Sequence, residues 1–356
     1  MPFFCFIDLD RRIQYNESSI FLEGGRMTES FTRTLSLAKR GMANYLKKRP
    51  FSVSFEVTHS CNARCKHCHL GGMVKEDLAS PQELGRICRE VRPLIAQISG
   101  GEPLLRKDLE EIVEAFRVPN RAPFIVITTN ASLLSKKRYD SLRRAGVDEF
   151  SVSLDYPDER HDEFRGIPGL FGRIRSLMEE IRSEKDKGIT KDKGITLCCV
   201  IQSDNFRSLI QMAELASDWD VKLNLSAYNS LRTHDMDYML SEEELEEFRE
   251  IVEQLLDRQK KAKNIRTSAY VYKNTIDFFK NQSFPNCRTG ERFFNVNPNG
   301  TFSPCGLIIT DYKTPKELYE KFSKVNTCSY CYTSIRANCE KPLKHLITDT
   351  IKTHLQ

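Results

Sequence analysis

Long apolar runs, a secretory start and a basic stripe are all missing from this 356-residue sequence. No run of apolar residues approaches the roughly 20 that a helix needs to span a bilayer. The opening MPFFCFIDLD has no basic residue before its apolar residues and turns acidic at once, unlike a signal peptide. The net charge of +5 is small, and no dense Lys/Arg stripe with interleaved aromatic residues is present, which argues against a nucleic-acid partner.

The sequence contains twelve cysteines, which is many for a chain without a secretory start. In a reducing cytosol, clustered cysteines more often bind metals or carry out redox chemistry than form disulfides. We therefore predict a cytoplasmic protein with thiol-based metal sites.

Three of these cysteines, Cys61, Cys65 and Cys68, lie in one short segment. The run before it, residues 51–58, alternates apolar and polar residues as a half-buried strand does, so the segment is predicted to be a loop at a strand end. Three thiolates suit an iron–sulfur cluster and would keep one metal corner without a protein ligand. A cluster metal without a protein ligand can bind a small molecule and take part in a reaction.

Zinc is the alternative for this loop, with His59, His67 or His69 as its fourth ligand. Structural zinc sites usually join two separated pairs of ligands, whereas these candidates all crowd one loop. We therefore favour the iron–sulfur cluster.

Strand-like and helix-like runs alternate after this loop, which predicts an α/β fold with a parallel sheet. Counting the strand that begins at Val53, six strands are expected, too few for a closed eight-fold barrel. The five later strands are predicted at residues 94–99, 124–129, 149–154, 195–201 and 222–227.

The motif Gly100-Gly101-Glu102-Pro103 follows the second predicted strand. In parallel sheets, ligands gather at the carboxyl ends of the strands, where this motif and the cysteine loop both fall. Paired glycines let a backbone approach a ligand closely, and Glu102 can accept a hydrogen bond from an ammonium group.

Polar side chains also end the third and fourth strands. Asn130 follows the third strand, and Ser153 and Asp155 share a face of the fourth by the two-residue period. Both could reach ribose hydroxyls or an amino-acid carboxylate group above the sheet. Arg165, in the next loop, is a candidate partner for a ligand carboxylate.

The C-x3-C-x2-C spacing after the first strand, together with the Gly-Gly-Glu-Pro run after the second, resembles the radical S-adenosylmethionine superfamily. The resemblance covers about residues 51 to 230 and implies a partial (β/α)6 TIM-like barrel. Many members carry an aromatic residue where this chain has His67, so we predict that this ring packs and does not bind metal. The positions similar to the family's nucleoside-binding residues are Asn130, Ser153, Asp155 and Asn205.

The resemblance implies that S-adenosylmethionine binds the open iron of a [4Fe–4S] cluster held by Cys61, Cys65 and Cys68. One electron from the cluster would release methionine and a 5′-deoxyadenosyl radical, which abstracts a hydrogen atom from a substrate. It also implies a reductase, flavodoxin or ferredoxin as electron donor. No general base can be assigned from the sequence, and Cys88, Cys198 and Cys199 are expected to be buried apolar residues.

A second group of cysteines follows Pro285. Asn299-Gly300 predicts the turn of a hairpin between Cys287 and Cys305, and Cys328-x2-Cys331 is a knuckle. Two ligand pairs that converge on one site are common to zinc ribbons and iron–sulfur sites, and the residues alone leave these alternatives open.

The spacing of this second group resembles the twitch domain, the shortened form of the SPASM domain. The resemblance implies one auxiliary [4Fe–4S] cluster with the ligands Cys287, Cys305, Cys328 and Cys331. Cys339 is expected to be a spare buried thiol, with replacement of one ligand as the alternative.

The remaining segments complete the predicted organisation. A basic amphipathic helix at 28–48 is expected to pack on the outside of the domain, with a membrane surface as the alternative contact. The predicted divisions are 1–50 (hairpin and helix), 51–235 (radical SAM core), 236–284 (helical bridge), 285–345 (twitch-type β-hairpin domain) and 346–356 (tail).

Members with such a C-terminal domain mostly modify ribosomally made peptides, so peptide modification is the expected function. The alternatives are dehydrogenation of a small-molecule alcohol, radical chemistry on a lipid or isoprenoid, and a non-enzymatic metal-bound scaffold that binds a partner. The scaffold alternative gives no reason for Glu102, Asn130, Ser153 and Asp155 to lie at neighbouring strand ends.

Overall fold

The computed structural model describes residues 29–68, 71–118, 121–187, 194–342 and 345. The predicted N-terminal hairpin, the candidate zinc ligand His69 and the C-terminal tail lie outside the described residues.

One eight-stranded sheet, in the order β6-β5-β4-β3-β2-β1-β7-β8, forms the centre of the described chain. Strands β1 to β6 pair in parallel in chain order, which confirms the predicted α/β sheet of six strands. The strands are β1 (Ser52–Thr58), β2 (Ile95–Gly100), β3 (Phe124–Thr129), β4 (Glu149–Ser153), β5 (Ile195–Ile201), β6 (Lys222–Ala227), β7 (Phe293–Val296) and β8 (Phe302–Ser303).

Helices follow the parallel strands as the apolar spacing predicts. The predicted N-cap Ser241 forms a capping box with Glu244, which satisfies free amide groups at the start of α8. The helices are α1 (Glu29–Leu46), α2 (Pro81–Val91), α3 (Leu109–Phe116), α4 (Lys136–Ala145), α5 (Arg160–Arg165), α6 (Leu170–Asp186), α7 (Leu209–Asp218), α8 (Glu242–Ala262), α9 (Ala269–Asn281), α10 (Pro315–Lys321) and α11 (Ser334–Cys339).

The two faces of the sheet differ in polarity because side chains alternate along each strand. On the outer face, Phe55 and Ile127 are completely buried in the main core. On the inner face, the hydroxyls of Ser54 and Ser99 lie 2.6 Å apart, and Gln97 Nε2 donates to Thr128 Oγ1 at 2.7 Å. The inner face therefore offers neutral hydrogen-bonding groups.

Helix α1 packs against the amino ends of the strands. Leu37 belongs to a small apolar cluster, which we call the floor cluster. Asn44 Nδ2 donates to the carbonyls of Pro50 at 2.7 Å and Arg92 at 3.0 Å, so the helix is also held by polar contacts. The buried hydrophobic members of the floor cluster are Leu37, Phe51, Leu94, Ala122, Phe124, Phe293 and Cys339.

The outward side of α1 exposes Met42 and Leu46. A membrane-surface contact of this helix stays a prediction. Within the described ranges, no helix combines the length and the apolar character needed to cross a membrane.

The C-terminal hairpin extends the main sheet, because β7 pairs in parallel with the free side of β1. Helix α11 lies against both β6 and β7, and Ser334 N donates to Ser226 Oγ of β6 at 3.0 Å. The second cysteine group is thereby held beside the inner face. The predicted domain divisions stay predictions.

Candidate functional site

The first cysteine loop leaves the carboxyl end of β1, as predicted, and is fixed by backbone hydrogen bonds. Cys61 and Gly72 exchange two such bonds, of 2.8 and 3.0 Å. Arg64 N donates to the carbonyl of Arg165 at 2.9 Å, and Lys66 N to that of Phe164 at 3.1 Å. The loop is therefore docked on the last turn of α5.

Two arginines contact the thiols of this loop. Arg165 Nη1 lies 3.4 Å from Cys65 Sγ, and Arg232 Nη1 lies 3.6 Å from Cys68 Sγ. Burial raises the pKa of Cys65, and the Arg165 charge opposes that rise. Each described cysteine is a free thiol. Soft donors beside two cations suit a negatively charged iron–sulfur cluster, so the donor set fits the implied group.

His67 packs as an aromatic ring. It stacks on Phe164 with ring centroids 5.0 Å apart and an interplanar angle of 18°. Burial, together with the Arg165 charge, lowers the pKa of His67 to about 4. This geometry agrees with the predicted packing role. Among the described residues, no three His, Cys, Asp or Glu side chains converge closely enough to hold a single metal ion.

The paired glycines bring the β2 loop against the cysteine loop. Gly101 N donates to the carbonyl of Thr58 at 2.7 Å. A Cβ on Gly100 would lie 2.1 Å from Thr58 O, and one on Gly101 would lie 2.2 Å from Ser60 O. In the structure the two glycines allow the backbone of the neighbouring loop to approach closely, and the approach of a ligand to them stays a prediction.

Glu102 joins the β2 and β3 loops. Its side chain is buried, and Oε1 accepts from Thr129 Oγ1 at 2.7 Å and from Leu104 N at 3.0 Å. Oε2 accepts from Asn130 N at 2.8 Å. Burial raises the pKa of Glu102 to about 6, although these hydrogen bonds oppose the rise. That Glu102 also accepts from an ammonium group stays a prediction.

Asn130 connects the β3 loop to the cysteine loop. Its Nδ2 donates to Asn62 Oδ1 at 3.0 Å, and Asn62 Nδ2 donates to Ser132 Oγ at 2.9 Å. Asn62 was not predicted to be a site residue, although its position between two of the clustered cysteines could have indicated it. The asparagine pair ties two strand ends together.

Asp155 and Arg165 form a buried ion pair at the end of β4. Arg165 donates to Asp155 Oδ2 from Nε at 2.8 Å, and its Nη2 lies 2.5 Å from the same oxygen. Burial alone would raise the pKa of Asp155, but the Arg165 charge outweighs it and the pKa is lowered. In this structure Arg165 is paired with a carboxylate of the protein, and its contact with a ligand carboxylate stays a prediction.

The two other predicted strand-end residues are placed differently from each other. Asn205 is buried, and its Nδ2 donates to the carbonyls of Val200 at 2.8 Å and Asp155 at 3.1 Å. It therefore braces the ends of β4 and β5. Ser153 is half-buried on the inner face, in register with Cys198.

Glu56 is a site residue that the sequence analysis missed. Its Oε2 lies 3.1 Å from His59 Nε2, and its Oε1 accepts from Asn295 Nδ2 of β7 at 2.6 Å. A Cβ on Gly306, the residue after Cys305, would lie 2.8 Å from Glu56 Oε1. Glu56 thus links the cysteine loop to the loop of the second cysteine group. Its place on the polar side of an alternating strand was the available signal.

The cysteines of the second group are linked pairwise in the structure, and their joint binding of a cluster stays a prediction. The thiols of Cys287 and Cys328 are close enough for each to shift the pKa of the other, upward at Cys287 and downward at Cys328. Asn326 bridges their backbones by donating to Cys287 O at 2.7 Å and accepting from Cys328 N at 3.0 Å. Burial raises the pKa of Cys305, and the nearby Cys331 raises it further. Four thiols from two segments fit an auxiliary iron–sulfur cluster. Cys339 is buried in the floor cluster, against which Cys287 and Cys305 also pack, and its role as a spare thiol or a ligand stays a prediction.

His161 is expected to make the stability of the fold depend on pH. It is completely buried, its Nδ1 accepts from Asp155 N at 3.2 Å, and burial lowers its pKa to about 4. Because the unfolded chain takes up a proton near pH 6.5, the contribution to stability is complete above that pH and is lost as the pH falls towards 4.

We expect His161 to contribute about 2 kcal/mol to the fall in unfolding free energy between pH 7 and pH 5. Urea titrations at the two pH values should measure it. His161→Asn keeps an acceptor for Asp155 N without titrating and should lose about that much of the pH dependence. An equal pH dependence in both proteins would contradict the prediction.

Comparison with known proteins adds family information to this geometry. The Radical SAM superfamily model matches residues 55–216. An AdoMet-dependent heme synthase of Methanosarcina barkeri is 36% identical over 140 residues, 37% of this chain and 39% of that protein. The PqqA peptide cyclase of Granulibacter bethesdensis is 27% identical over 282 residues, 73% of this chain and 69% of that protein. The match to the synthase thus spans well under half of that protein's length.

Two solved structures show the same fold at low sequence identity. Streptococcus suis SuiB bound to S-adenosylmethionine has a TM-score of 0.59 and 16% identity, and the match covers 83% of this chain and 71% of SuiB. The anSMEcpe structure with bound AdoMet has a TM-score of 0.59 and 16% identity, with 86% of this chain and 97% of that protein covered. These likenesses support the TIM-like barrel that the motifs implied.

Proposed function

This chain carries a radical SAM domain over residues 55–216, and from that premise we propose that it cleaves S-adenosylmethionine reductively to start radical chemistry on a substrate. The observation that carries the proposal is the loop of three free thiols at the carboxyl end of β1, with Arg165 and Arg232 against two of them. A [4Fe–4S] cluster on Cys61, Cys65 and Cys68 would supply, with S-adenosylmethionine, a 5′-deoxyadenosyl radical able to take a substrate hydrogen.

The residues around the loop hold and shield it in this proposal. Arg165 and Arg232 offset negative charge at the thiols, and Asp155 fixes Arg165. Glu102 and Asn130 keep neighbouring strand ends in place. The proposed contacts of S-adenosylmethionine are Gly100, Gly101, Glu102, Pro103, Asn130, Ser153, Asp155, Arg165 and Asn205.

We further propose one auxiliary [4Fe–4S] cluster on Cys287, Cys305, Cys328 and Cys331, which takes part in electron transfer. The bridge that Asn326 forms between the backbones of Cys287 and Cys328 supports it. The packing of α11 against β6 and β7 supports its location beside the inner face. A reductase, flavodoxin or ferredoxin is the proposed electron donor.

A peptide is the proposed substrate. Related proteins include one named a peptide cyclase, and SuiB and anSMEcpe have been crystallised with a precursor peptide and the Cp18Cys peptide respectively. The neutral polar groups of the inner face, such as Ser54, Gln97 and Thr128, suit the amides of a peptide backbone.

Anaerobic reconstitution with iron, sulfide, a reductant and S-adenosylmethionine tests the enzyme. We expect about eight iron atoms per chain and formation of 5′-deoxyadenosine. Cys65→Ala should reduce this product to background, because one cluster ligand is lost. The control is Cys88→Ala, which removes a buried thiol of α2 outside both cysteine groups and should leave the product unchanged.

Two results would contradict the proposal. One is the absence of 5′-deoxyadenosine from fully loaded intact protein, and the other is equal product from Cys65→Ala. About four iron atoms per chain in place of eight would remove only the auxiliary cluster.

A further inference from the structure

An ion pair between the buried Arg336 and the partly buried Glu340 lies beside the second cysteine group. Arg336 of α11 has no exposed surface, and its Nε donates to Glu340 Oε2 at 2.9 Å. The guanidinium also lies over the ring of Phe284, 5.2 Å from the centroid. No motif in the sequence analysis singled out either charged residue.

The contacts of this pair flank the predicted ligands. Arg336 Nη1 donates to the carbonyl of Cys331 at 2.6 Å, and Nη2 donates to that of Pro285 at 2.8 Å. Glu340 Oε1 accepts from the backbone N–H of Arg288, the neighbour of Cys287. One ion pair therefore braces the segments that carry both Cys287 and Cys331.

The charge of Arg336 also lies close to the predicted ligands. Its guanidinium is one hydrogen bond away from the backbone of Cys331, and through Glu340 it is linked to the backbone of Arg288, the residue after Cys287. In a buried site with little water, such a charge acts more strongly than at the surface.

We propose that Arg336 and Glu340 are a positioning pair that sets the reduction potential of the auxiliary cluster, with opposite effects from the two charges. The inference rests on the proposed function, in that the four thiols hold an iron–sulfur cluster. Because reduction makes a cluster more negative, a nearby cation favours the reduced form and a nearby anion disfavours it. In the paired arrangement, Arg336 raises the reduction potential of the cluster and Glu340 lowers it.

Potentiometric titration of the loaded full-length protein, followed by electron paramagnetic resonance, tests the pair. Arg336→Met should lower the midpoint potential of the auxiliary signal, and Glu340→Gln should raise it. We expect about a tenfold change in the ratio of reduced to oxidised cluster for each, or about 59 mV for a one-electron couple. Arg336→Lys keeps the charge and should stay near the wild-type potential.

Glu317→Gln is the matched control. Glu317 pairs with Lys321 across one turn of α10, as Arg336 does with Glu340 in α11, but that pair lies at the surface. Its loss should leave the potential unchanged because water screens the charge. The background Cys61→Ala/Cys65→Ala/Cys68→Ala isolates the auxiliary signal for the same series.

The signs of the shifts decide the outcome, since a purely structural role predicts no opposite movement. Equal potentials, or shifts of Arg336→Met and Glu340→Gln in the same direction, would overturn the inference. If Arg336→Met does not retain the cluster, Glu340→Gln and Arg336→Lys test the inference. An unchanged or lowered midpoint potential in Glu340→Gln then overturns the inference. An intact protein with about four iron atoms and no second signal would instead overturn the auxiliary cluster, and the inference with it.

Discussion

Replacement of Asp155 by alanine is expected to lower the free energy of unfolding by about 3–5 kcal/mol, because it leaves the buried Arg165 charge without its partner. Asp155 has no exposed surface, and its Oδ1 also accepts from Val200 N at 3.1 Å. The backbone of Arg165 in turn holds the cysteine loop through Arg64. The variant should therefore lose both stability and the seating of the loop.

Two measurements check this expectation. Urea unfolding gives the change in free energy, and iron analysis of the reconstituted variant should show loss of about four of the eight iron atoms. Asp158→Ala is the matched control, since Asp158 pairs with Arg160 at the surface, 2.7 Å apart. An exposed pair contributes less than about 1 kcal/mol, and its loss should leave the iron content unchanged. Equal destabilisation by the two variants would contradict the role of burial.

Gly101→Ala is expected to destabilise the protein by about 3 kcal/mol, at the upper end of typical overpacking costs, and to prevent loading of the first cluster. Its Cβ would lie 2.2 Å from Ser60 O and 2.6 Å from His59 O, both backbone atoms of the cysteine loop. Backbone cannot move aside as a flexible side-chain end can, so the loop itself must shift. The auxiliary cluster should still load, giving about four iron atoms per chain.

Gly172→Ala is the same glycine-to-alanine substitution, but we expect it to stabilise the protein where Gly101→Ala destabilises it. Gly172 lies in the first turn of α6, and a Cβ there would meet no heavy atom within 4 Å other than its chain neighbours and the backbone of its own helix. Alanine in a helix interior stabilises by about 0.5–1 kcal/mol relative to glycine. Calorimetry should therefore show a lower stability for Gly101→Ala and a higher stability for Gly172→Ala. Iron analysis should show a missing first cluster only in Gly101→Ala. Normal loading of the first cluster in Gly101→Ala would contradict the steric argument.

Local periodicity was enough to predict the six parallel strands and the helices between them. The predicted bounds of β3, 124–129, and of β5, 195–201, coincide with the structure. Helix α5 was missed because its six residues are too few to show a helical repeat. The pairing of β7 with β1 was also missed, because that contact joins segments far apart in the chain and has no local signal.

The site was predicted as a set of residues, but not as a set of contacts. Spacing brought the cysteine loop to the end of β1, and the strand ends that surround it followed from the parallel sheet. Sequence spacing could not predict that Asp155 forms an ion pair with Arg165, because this pairing depends on how the end of β4 and the end of α5 meet in three dimensions. Arg232 was missed for the same reason: its loop carries no motif, and only folding places it against Cys68.

The floor cluster, which includes Leu37 of α1, covers the amino ends of β1, β2, β3 and β7. The cysteine loop and the strand-end residues lie at the opposite, carboxyl ends of the parallel strands, so the proposed radical source is on the side away from the floor cluster. Molecules that enter and leave on that side do so in a fixed order, in which the molecule bound deepest is the last to leave. We therefore expect product analogues to slow the exchange of a more deeply bound molecule without competing for its site.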